Sequence, residues 1–139
     1  MKKNILIPFL LIATISGCNM MNRHDLKSYL GDIGVELKDD YQTLSLEQTG
    51  FKDFTLNATL IVSNDDKAAI LKSLKTQVKF IKIDTIPLLG FNGNATNGYL
   101  NKSTYYFYKG QTKEGIPWQE YELKIDTANN RLDFEWGDY

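Results

Sequence analysis

The stretch WQEYELKIDTANNRLDFEW, residues 118–136, decides the fold of this chain. Apolar and polar residues alternate on both sides of the turn-forming segment 127–130. Such alternation is typical of strands with one buried and one solvated face, and two such strands joined by a short turn form an antiparallel hairpin. The segment therefore predicts an antiparallel sheet that buries one of its faces.

Two registers of this hairpin are open. A four-residue turn pairs Asp126 with Arg131, whereas a two-residue turn sets Asp126 opposite Asp133. We favour the first register because opposite charges then meet twice across the strands. Its further pairs are Lys124 with Asp133, Leu123 with Phe134, Tyr121 with Trp136 and, as the one conflict, Glu122 with Glu135.

Upstream of the hairpin, the same criteria predict further strands over 41–48, 54–63 and 103–109, with an extension near 80–83. Apolar residues at helical spacing predict a short helix from Asn22 that Gly31 and Gly34 end. A clearer helix over 65–76 is predicted to be capped by Ser63 or Asn64 and to pack through Ile70, Leu71, Leu74 and Val78.

The predicted fold class is α+β. We expect an antiparallel sheet of five or six strands, with the helix over 65–76 packed on one face and the short N-terminal helix at its edge. Residues 84–102 are rich in Gly and Asn, a composition typical of turns, and are predicted to form a long irregular loop.

The first residues carry a targeting pattern. Lys2 and Lys3 precede an apolar run, and Ile15-Ser16-Gly17-Cys18 follows it, as in a secretory signal peptide too short to span a bilayer. The tetrapeptide resembles the lipobox of bacterial lipoproteins. This resemblance implies cleavage before Cys18 and its acylation, with palmitate among the acyl chains.

These features predict three parts of the chain: a signal peptide over 1–17, a lipidated tether over 18–23 and a single globular α+β domain over 24–139. The expected location is the cell membrane or the outer membrane. The acylated Cys18 would anchor the protein in the lipid bilayer, with the domain facing the periplasm or the cell exterior.

Charge and residue counts exclude several classes of function. Without Lys2 and Lys3, 14 of the 16 basic residues remain against 17 acidic ones, a net charge near −3. This balance argues against nucleic acid as a partner and against an electrostatic attachment to anionic lipid. A single cysteine, Cys18, also leaves no intrachain disulfide to predict.

Few residues in the chain suit catalysis or metal binding. The only histidine is His24 and the only cysteine is Cys18, so neither imidazole-assisted nucleophilic catalysis nor zinc binding is expected. Acidic pairs at 39–40 and 65–66 are candidates for calcium, but helix capping explains the second pair. We therefore expect no catalytic residue, no metal and no cofactor.

A surface for protein binding has more support in the sequence. The alternation sets aromatic side chains on the polar side of the sheet, away from core residues such as Phe107 and Tyr121. Tyr and Trp are enriched at protein interfaces, although a second layer covering this face would make them core residues. The candidate binding residues are Tyr106, Tyr108 and Trp118 on predicted strands, with Phe91 and Tyr99 in the 84–102 segment.

We expect the protein to be an envelope protein-binding or inhibitory module of the immunity, exclusion or accessory kind, with an envelope protein as its partner. The alternative is a carboxylate-dependent hydrolase of envelope polysaccharide. That chemistry needs two carboxylates, and Glu120, Glu122 and Glu135 share the predicted polar face.

Overall fold

The computed structural model describes residues 23–38, 40–50, 54–86, 95–113 and 116–138. Within these ranges the chain forms two helices and seven strands. In chain order they are α1 (Arg23–Asp32), β1 (Gln42–Thr49), β2 (Phe54–Ile61), α2 (Asn64–Gln77), β3 (Ile81–Lys82), β4 (Thr96–Asn101), β5 (Thr104–Lys113), β6 (Ile116–Asp126) and β7 (Arg131–Asp138).

All seven strands belong to one sheet, in the order β1-β2-β7-β6-β5-β4-β3. Every neighbouring pair is antiparallel except β3 and β4, which run parallel. The predicted fold class, an α+β domain with an antiparallel sheet of five or six strands, is therefore wrong. The protein is mostly β, with a mixed seven-stranded sheet and two helices.

The error arose in the segment predicted as a loop, where β4 begins at Thr96. Gly98 lies inside β4 and is buried, although its residue type is typical of turns. A Cβ atom at this position would come within 2.8 Å of Val78 Cγ1 and 3.0 Å of Phe80 Cδ1. Gly98 is thus required for the close approach of the segment 78–80 to β4, a role in which glycine is found in strand interiors.

The hydrophobic core lies between the two helices and one face of the sheet. The predicted stripe on α2 is confirmed, since Ile70 and Leu74 are buried and Leu71 and Val78 pack against the core. The cap is Ser63, whose Oγ accepts a hydrogen bond of 2.9 Å from the backbone N–H of Asp66. Members of the core on the sheet include Leu56, Leu60, Phe107, Tyr121, Leu123, Ile125, Leu132 and Phe134.

Helix α1 packs on the same face as α2. Leu26, Leu30 and Ile33 are buried in the shared core, and the ring of Tyr29 stacks on Trp136 with centroids 4.3 Å apart. The helix ends at Asp32, between the two glycines that were predicted to end it. Gly31 still lies inside α1, whereas Gly34 follows its end with a positive φ of 72°.

The favoured register of the β6–β7 hairpin is confirmed, with Asp126 opposite Arg131 and Glu122 opposite Glu135. By contrast, Leu44 and Leu46 on β1 lie two residues apart but differ in burial. The register of β1 against β2 shifts between Thr43 and Ser45, so Leu46 packs against the core and Leu44 is 51% exposed.

Candidate functional site

The second face of the sheet carries neither α1 nor α2, and we call it the open face. Its residues form two rows that run across the strands, because directly paired residues point to the same side. The first row is Ile81, Tyr99, Tyr106, Lys124, Asp133 and Thr59. The second row is Asn97, Tyr108, Glu122, Glu135 and Asn57.

One end of the open face is aromatic and apolar. Tyr99 and Tyr106 are half-buried cross-strand partners, and the rings of Tyr99 and Tyr108 meet edge to face with centroids 6.4 Å apart. Lys124 Nζ lies 5.8 Å from the centroid of the Tyr106 ring. Ile81, in register with Tyr99, is 58% exposed. This end therefore presents apolar and aromatic surface to solvent.

Tyr108 differs from its neighbours on this face. It is only 6% exposed although it lies outside the core on the helix side. Its hydroxyl donates a hydrogen bond of 3.4 Å to Glu122 Oε1, and burial followed by the charge of Glu122 raises the pKa of Tyr108. Tyr108 therefore contacts Tyr99 and Glu122 but offers little accessible surface to a partner itself.

Trp118, another of the predicted binding residues, lies near the start of β6. Its side chain is half-buried and is not part of the hydrophobic core. The indole Nε1–H donates a hydrogen bond of 2.6 Å to Oε1 of Glu120, two residues along the same strand. Trp118 is thus held on the open face by a polar contact and keeps part of its ring accessible.

The middle of the open face is acidic. Glu122 and Glu135 are direct cross-strand partners, and the pKa of Glu122 is raised by its partial burial and then by the negative charge of Glu135. Both carboxylates line a shallow depression of about 210 Å³, together with Lys124 and Asp133. Asp133 itself is paired with Arg131 at 2.9 Å.

Two predicted site residues, Cys18 and Phe91, lie outside the described residues. Of His24 only the backbone, within α1, is described. In the described part of the chain, no group of three His, Cys, Asp or Glu side chains could hold a metal ion. No described helix is long and apolar enough to cross a membrane.

Comparison with known proteins gives no relative: no family model, no curated protein and no solved structure matches this chain.

The sequence reasoning missed Ile81 as part of this surface. Its segment was predicted to be extended, but the parallel pairing that sets Ile81 beside Tyr99 depends on contacts between distant parts of the chain. No local pattern in the sequence could have indicated it.

Proposed function

We propose that this protein is a membrane-anchored envelope lipoprotein that binds a protein partner through the open face. The observation that carries the proposal is the aromatic and apolar end of that face, formed by the exposed Ile81 and the half-buried Tyr99 and Tyr106. Large aromatic side chains dominate the binding energy of many interfaces, and exposed apolar groups rimmed by polar ones mark interaction sites. The lipobox-like segment supports the anchored location.

The distribution of charge fits the same proposal. Glu122 and Glu135 form a polar border beside the aromatic end, and Trp118 adds a second aromatic group beyond them. An interface of this kind has apolar anchors at its centre and charged groups at its rim, where they affect specificity more than affinity. An inhibitory or accessory module would use this surface to hold its partner close to the membrane.

Two neighbouring tyrosines on β5 allow a matched test. A photo-crosslinking residue at position 106 of the full chain, in its own envelope, should capture one partner, whereas the same residue at 105 should not. Tyr106 lies on the open face, while Tyr105 packs on the helix side against Phe80 with ring centroids 5.0 Å apart. Equal capture from both positions would contradict the proposal.

With the captured partner in hand, Trp118→Ala should weaken binding by more than about tenfold, because a buried aromatic anchor contributes about 2 kcal/mol or more. The same substitution should cost the folded domain no more than about 1 kcal/mol, since Trp118 lies outside the core. A stability loss of about 3–5 kcal/mol, as for a core tryptophan, would show that Trp118 has a structural role.

A carboxylate-dependent hydrolase is the second candidate, and one observation favours it. The pKa of Glu122 is raised, as a general acid requires, and a second carboxylate stands directly opposite. The depression of about 210 Å³ is smaller than the roughly 300–1,000 Å³ of most ligand sites. Two results together would favour the enzyme. The protein would release sugars from envelope polysaccharide and Glu122→Gln would abolish this release, while Trp118→Ala would leave partner capture intact.

A further inference from the structure

A groove of about 490 Å³ lies on the helix side of the sheet, where α2 ends and β4 meets β5. Its apolar surface comes from Val78, Phe80, Leu100 and Tyr105, and Lys75 and Lys79 line it as well. None of its described lining residues is acidic. The groove therefore combines apolar surface with positive charge.

The shape of the groove is fixed by packing. The rings of Phe80 and Tyr105 meet edge to face, and Lys75 Nζ lies 5.2 Å from the Tyr105 centroid. Val78 ends α2 with a hydrogen bond from its N–H to the carbonyl of Leu74 at 3.1 Å. Close packing against Gly98 holds the segment 78–80 on β4. The lysines are thus presented from a rigid surface.

A third lysine belongs to the same side. Lys82 pairs in parallel with Leu100, which lines the groove, so the two residues point the same way. Lys75, Lys79 and Lys82 are all exposed. The net charge of the whole chain is −1, so it does not indicate this local cluster of lysines.

We propose that this groove and its three lysines dock on the surface of an anionic phospholipid bilayer. Lysine clusters beside a membrane bind acidic headgroups, and their aliphatic stems cover apolar surface while the ammonium groups reach the phosphates. The negative net charge of the chain does not oppose this docking, because the three lysines are concentrated on one surface.

The bilayer is the favoured occupant because of where the anchor stands, and this step rests on the proposed acylation of Cys18. Only four residues, 19–22, lie between Cys18 and Arg23, the start of α1, so the five Cα–Cα steps span at most about 18 Å. Helix α1 lies on the same side of the sheet as the groove. Docking there turns the open face away from the bilayer, toward a partner.

The test uses the full chain with an excess of vesicles made either of phosphatidylcholine alone or of phosphatidylcholine mixed with phosphatidylglycerol. Acetylation of each lysine is followed by mass spectrometry. We expect Lys75, Lys79 and Lys82 to react at least threefold more slowly with the anionic vesicles. Lys102 and Lys124, which lie outside the groove, should react at the same rate with both.

Variants and salt sharpen the test. Lys75→Gln combined with Lys79→Gln should remove the protection of Lys82, whereas Lys102→Gln combined with Lys124→Gln should leave it unchanged. Salt near 1 M should also remove the protection, because it shortens the screening length to about 3 Å.

Equal acetylation of the groove lysines with both kinds of vesicle would overturn the proposal. Protection by polyglutamate but not by phosphatidylglycerol would also overturn it, and would assign the groove to an acidic polypeptide. The mass of the Cys18 peptide in the same digest tests the proposed acyl anchor separately from the docking of the groove. An unmodified cysteine contradicts the proposed anchor, while the vesicle comparison still decides the groove.

Discussion

The two faces of the central sheet are built from the same strands, yet their side chains differ in how far they are buried. On β6, Leu123 is completely buried under the helices, while its neighbour Glu122 points to the open face and stays partly accessible. On β5, Phe107 and Tyr106 divide in the same way. On the helix face, close packing restricts which side chains fit, so its residues contribute to stability. The open face carries no helix, and aromatic and charged side chains lie on it side by side.

The largest effect should follow from placing a charge on the helix face. Leu123→Asp buries a carboxylate with no partner among Phe107, Phe134 and Ile125, at a cost of several kcal/mol against a total stability of about 5–15 kcal/mol. We expect the variant to lose its near-ultraviolet circular dichroism and its cooperative thermal transition.

The control places the same residue on the other face of the sheet. Ser45→Asp lies at an exposed position of β1, opposite Thr59, and should change the free energy of unfolding by no more than about 0.5 kcal/mol. Equal damage from both substitutions would mean that the open face is also covered.

The local sequence pattern predicted those features of the fold that depend on residues close together in the chain. Alternation over 118–136 gave the two faces, the hairpin and its register, because side chains two residues apart share a face and the turn fixes the pairing. Alternation is silent about which strands meet across long distances. The pairing of β2 with β7 and the parallel pair of β3 and β4 were therefore not predicted.

The candidate site was predictable to the same extent. The side on which Tyr106, Tyr108 and Trp118 lie followed from their parity along the strands. The burial of Tyr108 and its ring contact with Tyr99 did not, since Tyr99 lies on β4, in the segment predicted as a loop. The lysine groove was hidden for a similar reason, because its residues come from α2, β3, β4 and β5.

A smaller effect should follow from the contact that ties the helix layer to the chain entering β1. Asp66 is 2% exposed, and its Oδ1 accepts a hydrogen bond of 2.9 Å from the backbone N–H of Lys38. Asp66→Ala leaves that donor without its carboxylate and should cost about 1–3 kcal/mol, measured by urea unfolding.

The neighbouring Asp65 is the matched control, since it lies in the same first turn of α2 but is exposed. Asp65→Ala loses only its favourable position at the positive helix end, about 0.3–1 kcal/mol. If the two variants were equally stable, the buried contact of Asp66 would not hold the helix layer in place.

The smallest effect should come from the open face and should be stabilising. Glu135→Gln removes the negative charge opposite Glu122, which together with partial burial raises the pKa of Glu122. Because the folded-state pKa is raised, the parent loses stability as pH rises through it. At pH 7 the variant should therefore be more stable by about 0.5 kcal/mol, or about 2 °C in Tm.

The pH dependence of that gain distinguishes charge repulsion from packing. Because the pKa of Glu122 is raised, acidification neutralises this carboxylate and removes its repulsion with position 135, so the Tm values of parent and Glu135→Gln should converge at low pH. Glu47→Gln is the control on the same face, because Glu47 is exposed and faces Asn57 rather than a carboxylate, and it should shift Tm little at either pH. A gain that persists at low pH would show that the Glu122–Glu135 pair does not repel. The raised pKa of Glu122 would then follow from its partial burial alone.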